Sequence, residues 1–441
     1  MKKPINSKNI KQFKTMRDAL NFEGAAKEAN RCLLCEDAPC SKGCPAGTDP
    51  GKFIRQIRFE NIKGAARTIM NNNIMGSTCS FVCPTEKLCE KECSIKALED
   101  PINISGLQRY ACEQARSLNL EKFKSSKKTK GKVAIIGAGP AGIGAATELA
   151  KNDYDVTIFE KESSSGGVPN EIIPEYRLPR EAIEYDMQNL ANLGVEIKYN
   201  TKIETSEQLS GLSNQGYQAI FVSTGLSEPF QIPTFSGFTN AINYNTFLHN
   251  IKNGNKPQIE KKNVVIIGGG SVAMDAACSA AALGAKKVYA ISLESLAELP
   301  ADEEEIELAH NLHIMFKTNS VINDVVSDGD KITGIKGQEI EWKIPGKFTP
   351  DNAEPIKGTE FNLNVDLIII AIGTKPGKEI LQLGFETKGK GTILINDNCS
   401  TNIPGIFAGG DISNGGTTVV QAVADGKLAA SSIMNYIEKG E

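Results

Sequence analysis

Eight of the 11 cysteines are drawn into two knots, Cys32/Cys35/Cys40/Cys44 and Cys79/Cys83/Cys89/Cys93. The first runs C-x2-C-x4-C-x3-C-P and the second C-x3-C-P-x4-C-x3-C. Soft thiolates at such spacing suit iron–sulfur clusters. Zinc is the first competitor, but structural zinc sites usually pair C-x2-C elbows or add histidines, and this chain has only His249, His310 and His313. Disulfides fit poorly in a 441-residue chain whose lysine-led start lacks an apolar signal stretch. Cys112, Cys278 and Cys399 read as buried or incidental thiols.

Two glycine loops follow the knots. Val133-Ala134-Ile135-Ile136 runs into Gly137-Ala138-Gly139-Pro140-Ala141-Gly142, then an alanine-rich helix, then Val156 to Phe159 and Glu160. Gly137 permits the tight turn, Gly139 lets a pyrophosphate approach the backbone, Gly142 allows close helix packing, and Glu160 can accept from ribose hydroxyls. The second start, Val264 to Ile267, leads into Gly268-Gly269-Gly270-Ser271-Val272-Ala273, and its second strand ends on Glu294. A carboxylate there would repel a 2'-phosphate and accept from a free hydroxyl, which favours NADH over NADPH. Two dinucleotide sites in one chain imply a flavin that receives hydride from a nicotinamide.

The surrounding elements must hold these groups. The first 120 residues have helical periodicity broken by the knots, so metal binding should constrain much of that region. A polar stretch from Lys122 to Lys132 reads as a linker. β-rich runs then recur at Val133–Ile136, Val156–Phe159, Ala219–Ser223, Val264–Ile267, Val288–Ile291 and Leu367–Ile370, separated by helix-like segments. This alternation predicts an α/β fold with parallel sheets and crossover helices. Asp302-Glu303-Glu304-Glu305 reads as the solvated first turn of a helix, and His310 with His313 as an exposed polar face. At 40% hydrophobic and 23% charged residues the chain can bury substantial cores. Its net charge of -4 points to no nucleic-acid partner, no run approaches a membrane span, and a reducing cytoplasm is the expected location.

The C-terminal stretch Ile403 to Asp411, followed by Gly416-Thr417-Thr418-Val419, resembles the second flavin-contact motif of two-dinucleotide flavoproteins. Ser223-Thr224-Gly225 and Ala371-Ile372-Gly373 resemble their crossover motifs. With the knots in front, the chain resembles the small subunit of bacterial glutamate synthase and its relatives. Thr78 to Thr85, Pro101 to Gln108 and Ile173 to Pro179 are most similar to the N-terminal half of dihydropyrimidine dehydrogenase. That resemblance implies a helical iron–sulfur domain over residues 1–127, an FAD domain over 128–237 and 373–441, and a nicotinamide domain inserted at 238–372. It implies one [4Fe–4S] cluster on Cys32, Cys35, Cys40 and Cys93. The other would use Cys44, Cys83, Cys89 and Gln108, setting Cys79 aside, although thiolate chemistry alone would nominate Cys79. It adds Gly167, Arg177, Ile203, Gly410, Asp411, Thr418, Ala371 and Gly373 to the cofactor-binding residues.

The function so implied is NADH oxidation by FAD, with electrons passed through both clusters to an FMN-containing dihydropyrimidine dehydrogenase catalytic subunit in a hetero-oligomer. An FMN barrel of a few hundred residues has no room after Glu441. The alternatives are a glutamate synthase small subunit, a free-standing reductase, or a non-catalytic redox sensor.

Overall fold

The computed structural model describes residues 15–120, 123–125 and 127–440. The reading of residues 1–14 as free of a signal stretch, and of the linker at Lys122 and Ser126, therefore falls outside the described residues.

The cysteine region is built from helices and loops. Its main helices are α1 (Phe22–Asn30), α2 (Pro50–Arg58), α3 (Ile62–Asn72), α4 (Gly76–Val82) and α5 (Ile104–Ser117). Four starts are set by side chains that accept from first-turn N–H groups, namely Asn21, Asp49, Asn61 and Asn103. Phe53, Ile54, Ile69 and Leu107 are fully buried in the small core between these helices.

Beyond residue 130 two parallel sheets follow the β-rich runs. The first has the order β13–β4–β1–β2–β3, where β1 is Lys132–Ile136, β2 Asp155–Phe159, β3 Glu196–Lys198, β4 Ala219–Val222 and β13 Ile406–Ala408. The second has the order β5–β12–β6–β7–β8, with β5 Ala241–Asn243, β6 Asn263–Ile267, β7 Lys287–Ile291, β8 Met315–Lys317 and β12 Leu367–Ile370. β1, β4 and β12 carry apolar side chains on both faces, as strands covered by helices must. An antiparallel arm, β9 (Ser320–Asp328), β10 (Lys331–Trp342) and β11 (Phe361–Asn364), extends the second unit. The first sheet is completed only by β13, after the whole second sheet. The chain leaves and returns through two short strands, Glu228–Pro229 and Thr374–Lys375, which pair antiparallel with each other.

The helices that position the site are α6 (Pro140–Lys151), α7 (Arg180–Asn192), α8 (Tyr244–Lys252), α9 (Ser271–Ala282), α10 (Glu303–Asn311) and α11 (Val419–Lys439). α11 lies tightly on α6, because a Cβ at Gly426 would collide with the Ala141 carbonyl. The helical region packs on this unit: Ala46, Ile74, Met75 and Cys79 share one core with Val133, Ile135 and Phe221. Polar ties reinforce the contact. Lys427 Nζ donates to the carbonyls of Ala46 and Asn72, both at 2.7 Å, and Lys151 Nζ to that of Asn71 at 2.8 Å. Asp186 on α7, 1% exposed, accepts from the N–H groups of Ser77 (3.2 Å) and Thr78 (2.8 Å) at the start of α4.

Candidate functional site

The two glycine loops open on one cleft of about 780 Å³, lined by Gly137 and Gly139 from one side and by Ser271 and Val272 from the other. Gly137 takes φ +102° where a Cβ would stand 2.6 Å from the Ser223 carbonyl oxygen. Gly142 has no room for a Cβ against the Gly137 carbonyl, so α6 closes directly on the loop. Gly139 and Gly270 face open space, and each precedes its helix with no side-chain cap. The first N–H groups of α6 and α9 thus keep their positive ends for an anion, which fits the pyrophosphate of a dinucleotide. Gly268, at φ +131°, has no room for a Cβ against the Ala371 carbonyl, while the Ala371 N–H donates to Ile267 at 2.8 Å. Gly373 takes φ +95° and accepts from Phe230 at 3.1 Å where the chain returns.

Glu160 is buried, and its two oxygens accept from the N–H groups of Ala138 (2.7 Å) and Glu162 (2.9 Å). It therefore shapes the loop as well as lining the cleft. Glu294 stands at the corresponding station of the second loop, where a Cβ on Gly269 would lie 3.4 Å from its Oε2. Its carboxylate is turned towards the nucleotide loop.

Gly410 takes φ +73°, where a Cβ would press on the Ala141 side chain at 2.8 Å, and it presents Asp411 to the cleft. Asp411 accepts from the Thr417 N–H at 3.1 Å, and burial raises its carboxyl above the ordinary range. Thr418 lines the cleft and starts α11 by accepting from Gln421 at 3.2 Å. Gly167, at φ +59°, abuts the first loop: a Cβ there would lie 3.0 Å from Gly139 Cα. Ile203 is not brought to this site; it packs on the apolar cluster containing Phe159, away from the cleft lining.

Arg177 reaches the cleft wall, but its guanidinium is spent on two acids from the second unit: Asp275 on α9 at 2.7 Å and Glu305 on α10 at 2.6 Å. Burial opposes the Arg177 charge, and the two carboxylates hold it on. Burial raises the Asp275 carboxyl, which Arg177 resists and Glu305 reinforces. The acidic run 302–305 does begin a helix, but the expected solvation fails: Glu305 is 3% exposed and reaches back to the Asp302 N–H at 3.1 Å. The same turn receives Lys87 on Asp302 at 2.7 Å and Arg17 on Glu304. Cations from both other units end on one helix start. His310 and His313 are exposed, as expected of a polar face, and His310 rests on Phe316 with ring centroids 4.7 Å apart.

The cysteines sort into two neighbourhoods that cut across the knots. Cys32, Cys35, Cys40 and Cys93 line one cavity with Leu33, Pro39, Ile95 and Ile102. Burial, then the sulfurs of Cys93, Cys32 and Cys35, push the Cys40 thiol up to about 12. Cys83 is raised well above its ordinary value by a hydrogen bond with Cys79, by burial, and by Cys79, Cys89 and Cys44. Clusters of cysteines whose thiolates repel one another suit a cationic iron core, which would bind them as thiolates. Among the described residues no three Cys, His, Asp or Glu side chains form a group for a single metal ion; a cubane instead takes one thiolate at each corner and needs them spread. Cys79 accepts from Asn73 Nδ2 at 3.4 Å. Gln108, 8% exposed, gives Nε2 to the Gly76 carbonyl at 2.7 Å, leaving Oε1 as its ligand-capable atom. Cys112, Cys278 and Cys399 are buried.

No cysteine lines the cleft among the described residues, whereas Val82 and Pro84, either side of Cys83, do. The cleft wall thus carries a helix end from the cysteine region and, among the described residues, no dithiol.

Residues 131–426 match the pyridine nucleotide-disulphide oxidoreductase family, and residues 9–120 match the 4Fe-4S cluster domain II of dihydropyrimidine dehydrogenase. The NAD-dependent dihydropyrimidine dehydrogenase subunit PreT of Salmonella typhimurium is 38% identical over 94% of this chain and 95% of its own. PreT of Escherichia coli K12 is likewise 38% identical, over 94% of each chain. In fold, the chain resembles thioredoxin reductase of T. acidophilum (TM-score 0.53, 22% identity, covering 68% of this chain and 96% of that one). It also resembles FprA of Mycobacterium tuberculosis (TM-score 0.60, 14% identity, covering 71% and 86%). With its cysteine-rich helical region joined to two nucleotide-binding units, this oxidoreductase belongs to the pyridine nucleotide-disulphide oxidoreductase family and, within it, to the PreT-type subunits of dihydropyrimidine dehydrogenase.

Proposed function

We propose that the chain is the electron-input subunit of a dihydropyrimidine dehydrogenase, taking electrons from NADH and delivering them to an FMN-containing catalytic subunit that reduces uracil or thymine. One observation carries this reading. A single cleft is bounded by the first glycine loop, the second glycine loop and the residues flanking Cys83, so entry and exit share one chamber. Bound FAD would supply two-electron uptake from NADH and one-electron release to the clusters.

The chain's residues divide the remaining tasks. Gly137, Gly139, Gly142, Glu160, Gly167, Gly410, Asp411 and Thr418 would hold FAD, with Arg177 bracing the cleft wall. Gly268, Gly270, Ser271, Val272 and Glu294 would hold NADH, with Ala371 and Gly373 shaping the return crossing. Glu294 disfavours a 2'-phosphate by like charge. Cys44, Cys83, Cys89 and Gln108 would bind the cluster nearer the cleft, because Cys44 and Cys83 pack on the core shared with the first sheet. Cys32, Cys35, Cys40 and Cys93 would bind the outer cluster, where Cys32, Cys40 and Cys93 pack on the helical region's own core. The electron order is then cleft, inner cluster, outer cluster, partner. The domain limits proposed are 1–127, 128–237 with 373–441, and 238–372, in a cytoplasmic hetero-oligomer.

Anaerobic titration of the purified chain with NADH and with NADPH, read by flavin and cluster spectra, tests this. NADH should bleach the flavin and reduce clusters at lower concentration than NADPH. Uracil reduction should appear only when the FMN subunit is added; dihydrouracil formed by the chain alone refutes the division of labour.

A further inference from the structure

Helix α8 ends on Lys252, a lysine only 7% exposed. Its Nζ donates to two carbonyl oxygens, those of Pro169 and Ile173, each at 2.6 Å. Both belong to the loop that starts at Gly167 and lines the cleft, so the contact crosses from the inserted unit to the first. Two further bonds fasten the same turn. Arg180 Nη2 donates to the Lys252 carbonyl at 3.0 Å, and His249, one turn earlier, meets Glu171 at 3.1 Å.

Burying an ammonium is costly, and carbonyl dipoles return less than a carboxylate would. What this ammonium provides is geometry. Charge-assisted bonds to two carbonyls four residues apart fix the loop between them. That loop holds the short helix Val168–Glu171, and its ends are informative: Gly167 abuts Gly139 of the first nucleotide loop, and Arg177 grips Asp275 on the helix of the second.

We propose that Lys252 is a positioning residue for hydride transfer, clamping the loop from Gly167 to Arg177 so that the two nucleotide loops face each other in one fixed register. This rests on the proposed NADH-to-flavin reaction. The clamp is titratable. Burial brings Lys252 down to about 8; Arg180 adds to the lowering, and Glu175, Glu171 and Asp275 oppose it. Above that pH the ammonium becomes a neutral amine and its bonds to the carbonyls weaken. Global stability moves the other way. The folded value lies below the ordinary 10.5, so the contribution is present above 10.5 and lost as pH falls through about 8. Between those limits the fold gains stability while the clamp loosens, which a purely structural lysine would not separate.

The test uses the flavin- and cluster-loaded chain and its Lys252→Met and Lys252→Arg variants. Stopped-flow bleaching by NADH should slow roughly 10- to 100-fold in Lys252→Met at pH 7, the range for misplaced reacting groups. KM for NADH should stay within about twofold, since Lys252 lies outside the nucleotide loops. The fall in rate above pH 8 should vanish in that variant, and Lys252→Arg should restore the rate and keep it at high pH. Hydrogen exchange at the amides of residues 170–173 in flavin-free protein should quicken in Lys252→Met. Wild-type bleaching rate and exchange in Lys252→Met would overturn the clamp. If that variant does not fold, the unmodified chain still decides: a bleaching rate flat from pH 7 to 9.5 overturns it and a fall supports it. Absence of bleaching by NADH in the unmodified chain would instead refute the underlying reaction.

Discussion

The first sheet unit holds its two neighbours by different chemistry. The cysteine region is fused to it through a shared apolar core, and the polar ties there go to backbone: Lys427 and Lys151 to carbonyls, Asp186 to N–H groups. The inserted unit has most of its core to itself, reached from the first unit by Tyr176 and Ile172, and is held mainly by polar contacts: Arg177 on Asp275 and Glu305, Lys252 on the Pro169 and Ile173 carbonyls, and His249 on Glu171. Apolar burial is non-directional and tolerates no gap, whereas an ion pair is set by geometry and by pH. The contact with the cysteine region is thus set by shape, and the contact with the inserted unit by the geometry of polar groups.

Breaking the fused side should have the largest effect. Cys83→Ala should lower iron from about eight to about four per chain and also loosen the contact with the first sheet, seen as a lower Tm and loss of flavin. Cys35→Ala should cost the same iron but leave NADH bleaching intact while blocking passage to one-electron acceptors. Equal Tm losses in the two variants would erase the distinction. Paired with these, Cys79→Ala should keep its iron and Gln108→Ala should lose about four; the reverse pattern returns the fourth corner to Cys79.

At the boundary with the inserted unit, Arg177→Met leaves two buried carboxylates unpaired and should cost about 3–5 kcal/mol in urea unfolding. Adding Glu305→Gln should recover part of that, and no recovery would mean the network is not electrostatic.

Asp186 tests whether the fused side is free of pH dependence. Burial raises it to about 7, against the accepting bonds from Thr78 and Ser77. Its folded value exceeds the ordinary 3.8, so its stabilisation is full below 3.8 and lost as pH rises to about 7. Between those limits the unfolding free energy should fall relative to Asp186→Asn by an amount on the order of 4 kcal/mol. Parallel pH curves for the two proteins would reject the assignment.

Glu294→Arg should move the NADPH-to-NADH preference by roughly 10- to 100-fold, read from kcat/KM with each nucleotide. Lys87→Met should be the mildest change, about 0.2–1 kcal/mol, because that pair with Asp302 is half in water. A larger loss would mean that the two neighbours of the first unit depend on each other.

Much of this was legible in sequence, for a definite reason. The six β-rich runs coincide with β1, β2, β4, β6, β7 and β12, since strands buried on both faces must be continuously apolar. The glycine loops were legible because close approach admits no Cβ. The buried charges were not. Glu305 lies among acidic neighbours that ordinarily face water, and its cation, Arg177, is more than a hundred positions away. Lys252 and Asp186 bond to backbone, which leaves no complementary residue type to find. Ile203 came from resemblance and packs off the cleft. The sorting of Cys93 towards Cys32, Cys35 and Cys40 came from resemblance too, and spacing had no means of supplying it.

The paired strands Glu228–Pro229 and Thr374–Lys375 carry a consequence for modularity. Entry and exit of the inserted unit lie side by side, about 4.8 Å apart as in any two-stranded ribbon. A unit whose ends meet is a cassette. Its insertion leaves the first sheet's strand order intact, because the chain departs and returns at one place.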